Sequence, residues 1–334
     1  MNDVPAAHYH PHCVHAIPLT IVDIRSAAKR VRGHVLRTPL RRSDWLSSLT
    51  GGEVFLKLET VQPTFSYKVR GAFNAVRRLV ACGAQRQKLV TASAGNHGRA
   101  LAYAARSAGI SLSVYAPEHA PRTKLDAIRE LGAELHLCLD YDIAEWRAKE
   151  HGRAGGALFI SAYANPDVIA GAGTVGLEIL EDRPDIDCIA VGIGGGGLIS
   201  GTAIASRQPG LRVRVAGVEM AASSPFTHSL AAGRIVKIDV GTTLADGLAG
   251  NLDPDTVTFD IVRTLVDQIA LADEDHLRAA IAGLAKHERL IVEGAGAAAV
   301  AGILAGTLDV REQRLAVVLS GANIDLEAWN ACLA

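Results

Sequence analysis

Residues 191–201 read VGIGGGGLISG: an apolar run, four consecutive glycines from Gly194 to Gly197, then apolar residues of helical character. A strand that ends in glycines and opens a helix leaves free backbone N–H groups and the positive end of a helix dipole aimed at one place. Such a junction binds anions. Read literally, Gly192, Gly194 and Gly197 also satisfy GxGxxG, and Glu219 follows at the end of a later strand-like run, as in dinucleotide-binding units. A quartet of glycines meets many patterns by accident, however. Its density fits an amide nest closed around a terminal phosphate monoester. On these residues alone both readings stand.

Outward from this junction the same alternation continues in both directions. Strand-like runs at 53–59, 88–93, 111–117, 134–139, 157–163, 188–193, 213–219 and 315–321 are separated by helix-like runs such as 71–83, 96–109 and 123–133. That order is the signature of an α/β protein with parallel sheets. The strand–helix units between 86 and 164 form a candidate small domain. It is inserted into a large domain made of 17–85 and 165–334, and residues 1–16 read as a flexible tail. His8, His10, His12 and His15 in that tail have nothing nearby to fix ligand geometry.

Composition narrows the class. Of 334 residues, 49% are hydrophobic and 21% charged, with a net charge of −1, which suits a globular enzyme and argues against nucleic acid or an anionic membrane as partner. The apolar stretches are too often interrupted to span a bilayer. Five scattered cysteines without a CxxC pair read as reduced thiols in a cytoplasmic protein.

Two more loops share the strand–loop–helix form. In TASAGNHGRA (91–100), Ser93, Asn96 and His97 sit among glycines before a helix, a place that suits a carboxylate; the plain alternative is helix capping. In PTFSYKVRGAFNA (63–75), Lys68 is framed by Ser66, Tyr67, Arg70 and Gly71. A lysine is ordinarily solvated, and Lys29, Lys124, Lys149 and Lys286 read that way on charged helix faces. Lys68 stands out only in company with a phosphate loop and a carboxylate loop.

Six segments in one order, FSYKVRGA, SAGNHG, GGGGLISG, TLADG, EGAGA and SGAN, resemble the fold-type II pyridoxal 5′-phosphate (PLP) enzymes, and most closely the threonine/serine dehydratase and serine racemase branch. The resemblance covers residues 20–330. It implies a tryptophan synthase β-subunit-like fold of two parallel-sheet α/β domains with PLP in the cleft between them, a small-molecule amino-acid substrate and a second copy of the chain as partner. Residue by residue, Lys68 matches the Schiff-base lysine and general base, and Tyr67 the position packed beside the cofactor ring. Gly194, Gly195, Gly196 and Gly197 match the phosphate cradle, Asn96 the partner of the ring hydroxyl and Ser320 the partner of the ring nitrogen. Gly247 and Glu293 join the cofactor set, while Ser93, Asn96 and His97 match the loop that holds the substrate carboxylate. The implied reaction is α,β-elimination from a β-hydroxy amino acid, giving a 2-keto acid and ammonia.

Departures refine the expectation. Ala94 stands where racemases of the branch place a second serine as proton donor, which favours dehydration. Glu219 and Ser223 match two parts of a divalent-cation site, but Pro225 replaces its aspartate, so the expectation is no metal there. Ala172 replaces a usual glutamine, and Tyr163 stands where the chain approaches the substrate side chain. The absence of sequence matching a regulatory domain gives the expectation of a catabolic enzyme. The rivals are a racemase or β-replacement synthase of the same fold and, outside it, a dinucleotide-dependent oxidoreductase.

Overall fold

The computed structural model describes residues 19–334, so the tail with its four histidines lies outside the described residues. Ten strands follow in chain order: β1 (Leu40–Ser43), β2 (Glu53–Leu58), β3 (Leu89–Ala92), β4 (Leu112–Pro117), β5 (Glu134–Cys138), β6 (Leu158–Phe159), β7 (Cys188–Gly192), β8 (Arg214–Met220), β9 (Gln268–Ala272) and β10 (Arg314–Leu319). They form two sheets, ordered β1-β2-β10-β7-β8-β9 and β5-β4-β3-β6. All pairings are parallel except β1 with β2.

The six-stranded sheet is covered on both faces, which its near-continuous apolar strands require. The period of two is visible along β10. Leu315, Val317 and Leu319 pack with Ala298 and Val300 of the helix Gly294–Leu304. Ala316 and Val318 pack on the other side with Val175 and Ile199, from the helices Pro166–Asp182 and Gly197–Ser206. Those two helices lie so close that a Cβ on Gly201 would stand 2.5 Å from the Gly173 nitrogen.

The helix Lys68–Ala81 joins the two halves. Its Val69, Phe73 and Val76 share a core with Leu89, Leu101, Leu112 and Val114, the core of the four-stranded sheet. Its approach is tied to the other sheet instead. Ser66 bridges to Gly321, and the Tyr67 N–H donates to the Ser320 carbonyl at 2.9 Å. Phe65, at φ 56°, sits just before these contacts in a left-handed conformation that costs a bulky residue energy.

Two turns of buried charge secure the start of this helix. The Arg70 guanidinium reaches Glu59 and Glu178, each at 2.7 Å, and Lys57 reaches Glu178 at 2.7 Å. Arg70, Lys57 and Glu59 are fully buried. The network therefore links β2, the turn after it, the Lys68 helix and the helix Pro166–Asp182.

Cys138, Cys188 and Cys332 are free and buried. No described helix is long and apolar enough to cross a membrane.

Candidate active site

Between the two sheets, at the C-terminal ends of β3, β7 and β10, lies a cavity of about 450 Å³. Open parallel sheets bind ligands at such ends. Twelve positions singled out in the sequence line it: Tyr67, Lys68, Ser93, Asn96, His97, Gly194, Gly195, Gly196, Gly197, Gly247, Glu293 and Ser320. Ala94 and Tyr163 line it as well. Glu219 and Ser223 do not belong to its lining.

Lys68 is the first residue of its helix, and its Nζ donates to the Ala162 carbonyl at 2.9 Å. The amine also lies 5.2 Å from the centre of the Tyr67 ring. Ala162 follows the short strand β6. The run expected to extend through 157–163 stops at Phe159, which leaves this carbonyl free to face the amine.

The glycine quartet is required by its neighbours. A Cβ on Gly195 would stand 2.3 Å from Cγ of Tyr163, and one on Gly194 2.9 Å from Cα of Leu248. Gly196 takes φ 84° and caps the ten-residue helix that Gly197 begins. Thr258 Oγ1 donates to the Gly195 carbonyl at 2.8 Å and fixes the loop from behind.

Across the cavity, a chain of hydrogen bonds fixes Asn96. Arg99 can only donate, so its 2.7 Å contact identifies the Asn323 side-chain oxygen. Asn323 Nδ2 therefore donates to Asn96 Oδ1 at 2.6 Å, and Asn96 Nδ2 donates to Glu293 Oε1 at 2.7 Å. One amide hydrogen of Asn96 remains for a ligand. Burial pushes the Glu293 carboxyl up to about 7, opposed by the Asn96 hydrogen bond. Asn323 was not singled out in the sequence, although its SGAN segment was.

His97 is buried, and burial, together with the nearby Lys68 charge, lowers its imidazole to about 3. Its Nε2 lies 3.3 Å from the Ile160 carbonyl, which makes Nε2 the protonated nitrogen, and Nδ1 has no partner. His97 thus contributes a neutral ring. Ser93 Oγ accepts from the Gly95 N–H at 3.2 Å in the turn before the helix, whose N-cap Gly95 has no side-chain cap, so the helix-capping alternative does not hold and Ser93 still lines the cavity. Ser320 Oγ makes only a long 3.4 Å contact to the Ala295 carbonyl.

The Glu219 carboxylate is already satisfied. It accepts from the Phe226 N–H, the Thr227 N–H and Thr227 Oγ1 at 2.8, 2.8 and 2.7 Å. Those amides open the helix Pro225–Ala232, whose first residue is the proline that replaces the expected aspartate. Ser223 Oγ accepts from the Gly250 N–H. No group of three His, Cys, Asp or Glu residues that could hold a metal occurs among the described residues. The Glu219 carboxylate is thus held in a helix cap and does not line the glycine loop's cavity, which argues against the dinucleotide reading.

Sequence reading missed part of the wall. Tyr141, Glu145, Lys124 and Asp246 also line the cavity. Lys124 pairs with Asp246, and Lys149 lies 2.6 Å from Asp253 and 3.2 Å from Glu145. These two lysines are therefore ion-paired, contrary to the expectation of solvated side chains. Glu145 is four residues from Lys149, but Asp246 and Asp253 lie 122 and 104 residues from their lysines, beyond the reach of any local pattern.

Residues 31–321 match the family model described as pyridoxal-phosphate dependent enzyme. The L-threonine ammonia-lyase of Thermotoga maritima is 39% identical over 92% of this chain and 76% of its own length. The catabolic L-threonine dehydratase TdcB of Escherichia coli K12 is 38% identical over 94% of this chain and 96% of its own. The serine racemase of Dictyostelium discoideum superposes with a TM-score of 0.84 at 33% identity, covering 92% of this chain and 99% of that one. The chain belongs to the pyridoxal-phosphate-dependent enzyme family.

Proposed function

We propose that this enzyme is a threonine/serine dehydratase, releasing a 2-keto acid and ammonia from L-threonine or L-serine. The observation that carries the proposal is the convergence of the Lys68 amine, the glycine cradle and the Ser93–His97 loop on one cavity. The named activities of the two curated relatives support it.

The residues fit PLP. Gly194 to Gly197 leave room where any Cβ would intrude, at the start of a helix whose free N–H groups suit a phosphate. Lys68 supplies the amine for covalent attachment, Asn96 has one free amide hydrogen, and Ser320 offers an uncharged hydroxyl toward a ring nitrogen. When bound, the cofactor supplies the electron sink for the bond broken at the substrate Cα.

The remaining work falls to the chain. Lys68 Nζ, released from its anchoring role, takes the proton from Cα. The N–H groups at the start of the helix Asn96–Ser107 receive the substrate carboxylate, helped by its dipole. Neutral His97 positions this loop through Ile160 without adding charge. The Lys124–Asp246 pair joins the two halves of the cavity wall. Ala94 offers only a methyl group at the expected second proton donor, which supports elimination over racemisation.

We also assign the small domain to 86–164 and the large domain to 17–85 and 165–334, and propose a cytoplasmic homodimer. The Lys68 helix then crosses from the large domain into the small domain's core. The test of function is release of keto acid and ammonia from L-threonine and L-serine by the yellow holoenzyme, with borohydride fixing the cofactor to the Lys68 peptide. A colourless protein that releases neither product overturns the proposal.

A further inference from the structure

The wall of the cavity beside the glycine cradle carries an unbalanced negative charge. Tyr141 and Glu145 are one turn apart on the helix Tyr141–Arg153 and both line the cavity. Lys149, one turn further, is shared between Glu145 at 3.2 Å and Asp253 at 2.6 Å. Two carboxylates and one ammonium leave one formal negative charge, with the Glu145 carboxyl held above its usual value by burial and by the neighbouring Asp253. The Asp253 N–H also donates to the Tyr163 hydroxyl at 3.1 Å, and the Tyr163 ring packs on Gly195. This charged group therefore stands one aromatic ring away from the cradle.

Apart from His119 at the rim, the cationic groups lining the cavity are otherwise engaged or neutral. Lys68 is committed to the cofactor, and Lys124 is paired with Asp246. His97 is neutral, His119 lies exposed at the rim, and no arginine lines the cavity among the described residues. A second substrate carboxylate entering here would lose its water, face Glu145 and find no fork of donors to hold it. A methyl group or hydrogen at the β-carbon meets tyrosine rings at no such cost.

Resting on the dehydratase reading, we propose that Glu145 determines specificity, restricting this enzyme to β-hydroxy amino acids whose side chain carries no carboxylate. L-Threonine and L-serine fall inside that class, and 3-hydroxyaspartate falls outside it.

The test compares kcat/KM for keto-acid release from L-threonine, L-serine and L-threo-3-hydroxyaspartate, in the wild-type holoenzyme and in Glu145→Gln and Lys149→Gln. Wild type should prefer L-threonine to hydroxyaspartate by more than about 100-fold, and Glu145→Gln should shrink that ratio by roughly tenfold. Lys149→Gln should widen it, because two carboxylates then stand unbalanced. Hydroxyaspartate turnover within about tenfold of L-threonine in wild type overturns the inference and leaves the dehydratase reading intact. So does a ratio that neither substitution moves. If Glu145→Gln fails to fold, the wild-type panel and Lys149→Gln decide. Absence of keto acid from all three substrates removes the dehydratase reading itself, and this inference with it.

Discussion

Lys68 enters the cavity from the first turn of its helix, held by one carbonyl at Ala162 and flanked by the Tyr67 ring. Anchor and base are then one side chain, so Lys68→Ala should lower turnover by about 1,000-fold or more and abolish borohydride labelling. Substantial turnover without added amine would refute the assignment. Glu293 makes a prediction of opposite character. Burial raises its folded-state value to about 7, above the ordinary carboxylate value in the unfolded chain. The stability it confers is present at low pH and is lost as pH rises through about 7. Glu293→Gln keeps an oxygen for Asn96 without the charge. The apoprotein variant should therefore melt higher than wild type at pH 8, with the difference vanishing near pH 4. A lower melting temperature at pH 8 would show that the ionised carboxylate is better solvated than its burial implies.

Among the elements, the glycine loop is the clearest case of function set by missing atoms. Gly195→Ala places a methyl carbon 2.3 Å from Tyr163 Cγ, so ring or loop must move. PLP affinity should fall by roughly tenfold or more, the order expected when overpacking displaces a binding loop. Titration of the apoenzyme followed by absorbance measures it, and an unchanged affinity would place the phosphate elsewhere. This loop was legible because glycine runs between strand and helix have few other uses. The central strands were legible as apolar runs. β1, with exposed Arg41 and Arg42, and the edge strand β9 were not, because an edge tolerates charge and needs only one covered side. The Lys68 helix begins at residue 68 rather than 71, since its start is set by the Ser66–Gly321 bridge and not by local preference. Glu145 was invisible for a related reason. Its spacing from Lys149 reads as an ordinary solvated pair until Asp253 is brought alongside.

At the scale of the molecule, stability and site geometry meet in the charge network around Arg70. Burial alone would raise the Glu59 carboxyl, and the Arg70 guanidinium together with Thr38 and Lys57 more than offsets it, so Glu59 is held below its usual value. Arg70→Met leaves Glu59 buried without its main partner and should cost roughly 3–5 kcal/mol in denaturant unfolding. A loss below about 1 kcal/mol would mean that Lys57 and Thr38 suffice for Glu59.

The position of β10 has a consequence for the newborn chain. It is the third of six strands across its sheet, yet the last strand to be synthesised. Until it leaves the ribosome, β2 has no parallel neighbour and β7 lacks one side. The four-stranded sheet, whose strands all lie between residues 89 and 159, has no such wait. One half of the catalytic cleft can thus take shape during translation, whereas the other must stay open until nearly the whole message has been read. A ribosome stalled before residue 314 would hold a chain with Lys68 and the glycine loop already made but without the strand that seats β2 beside β7.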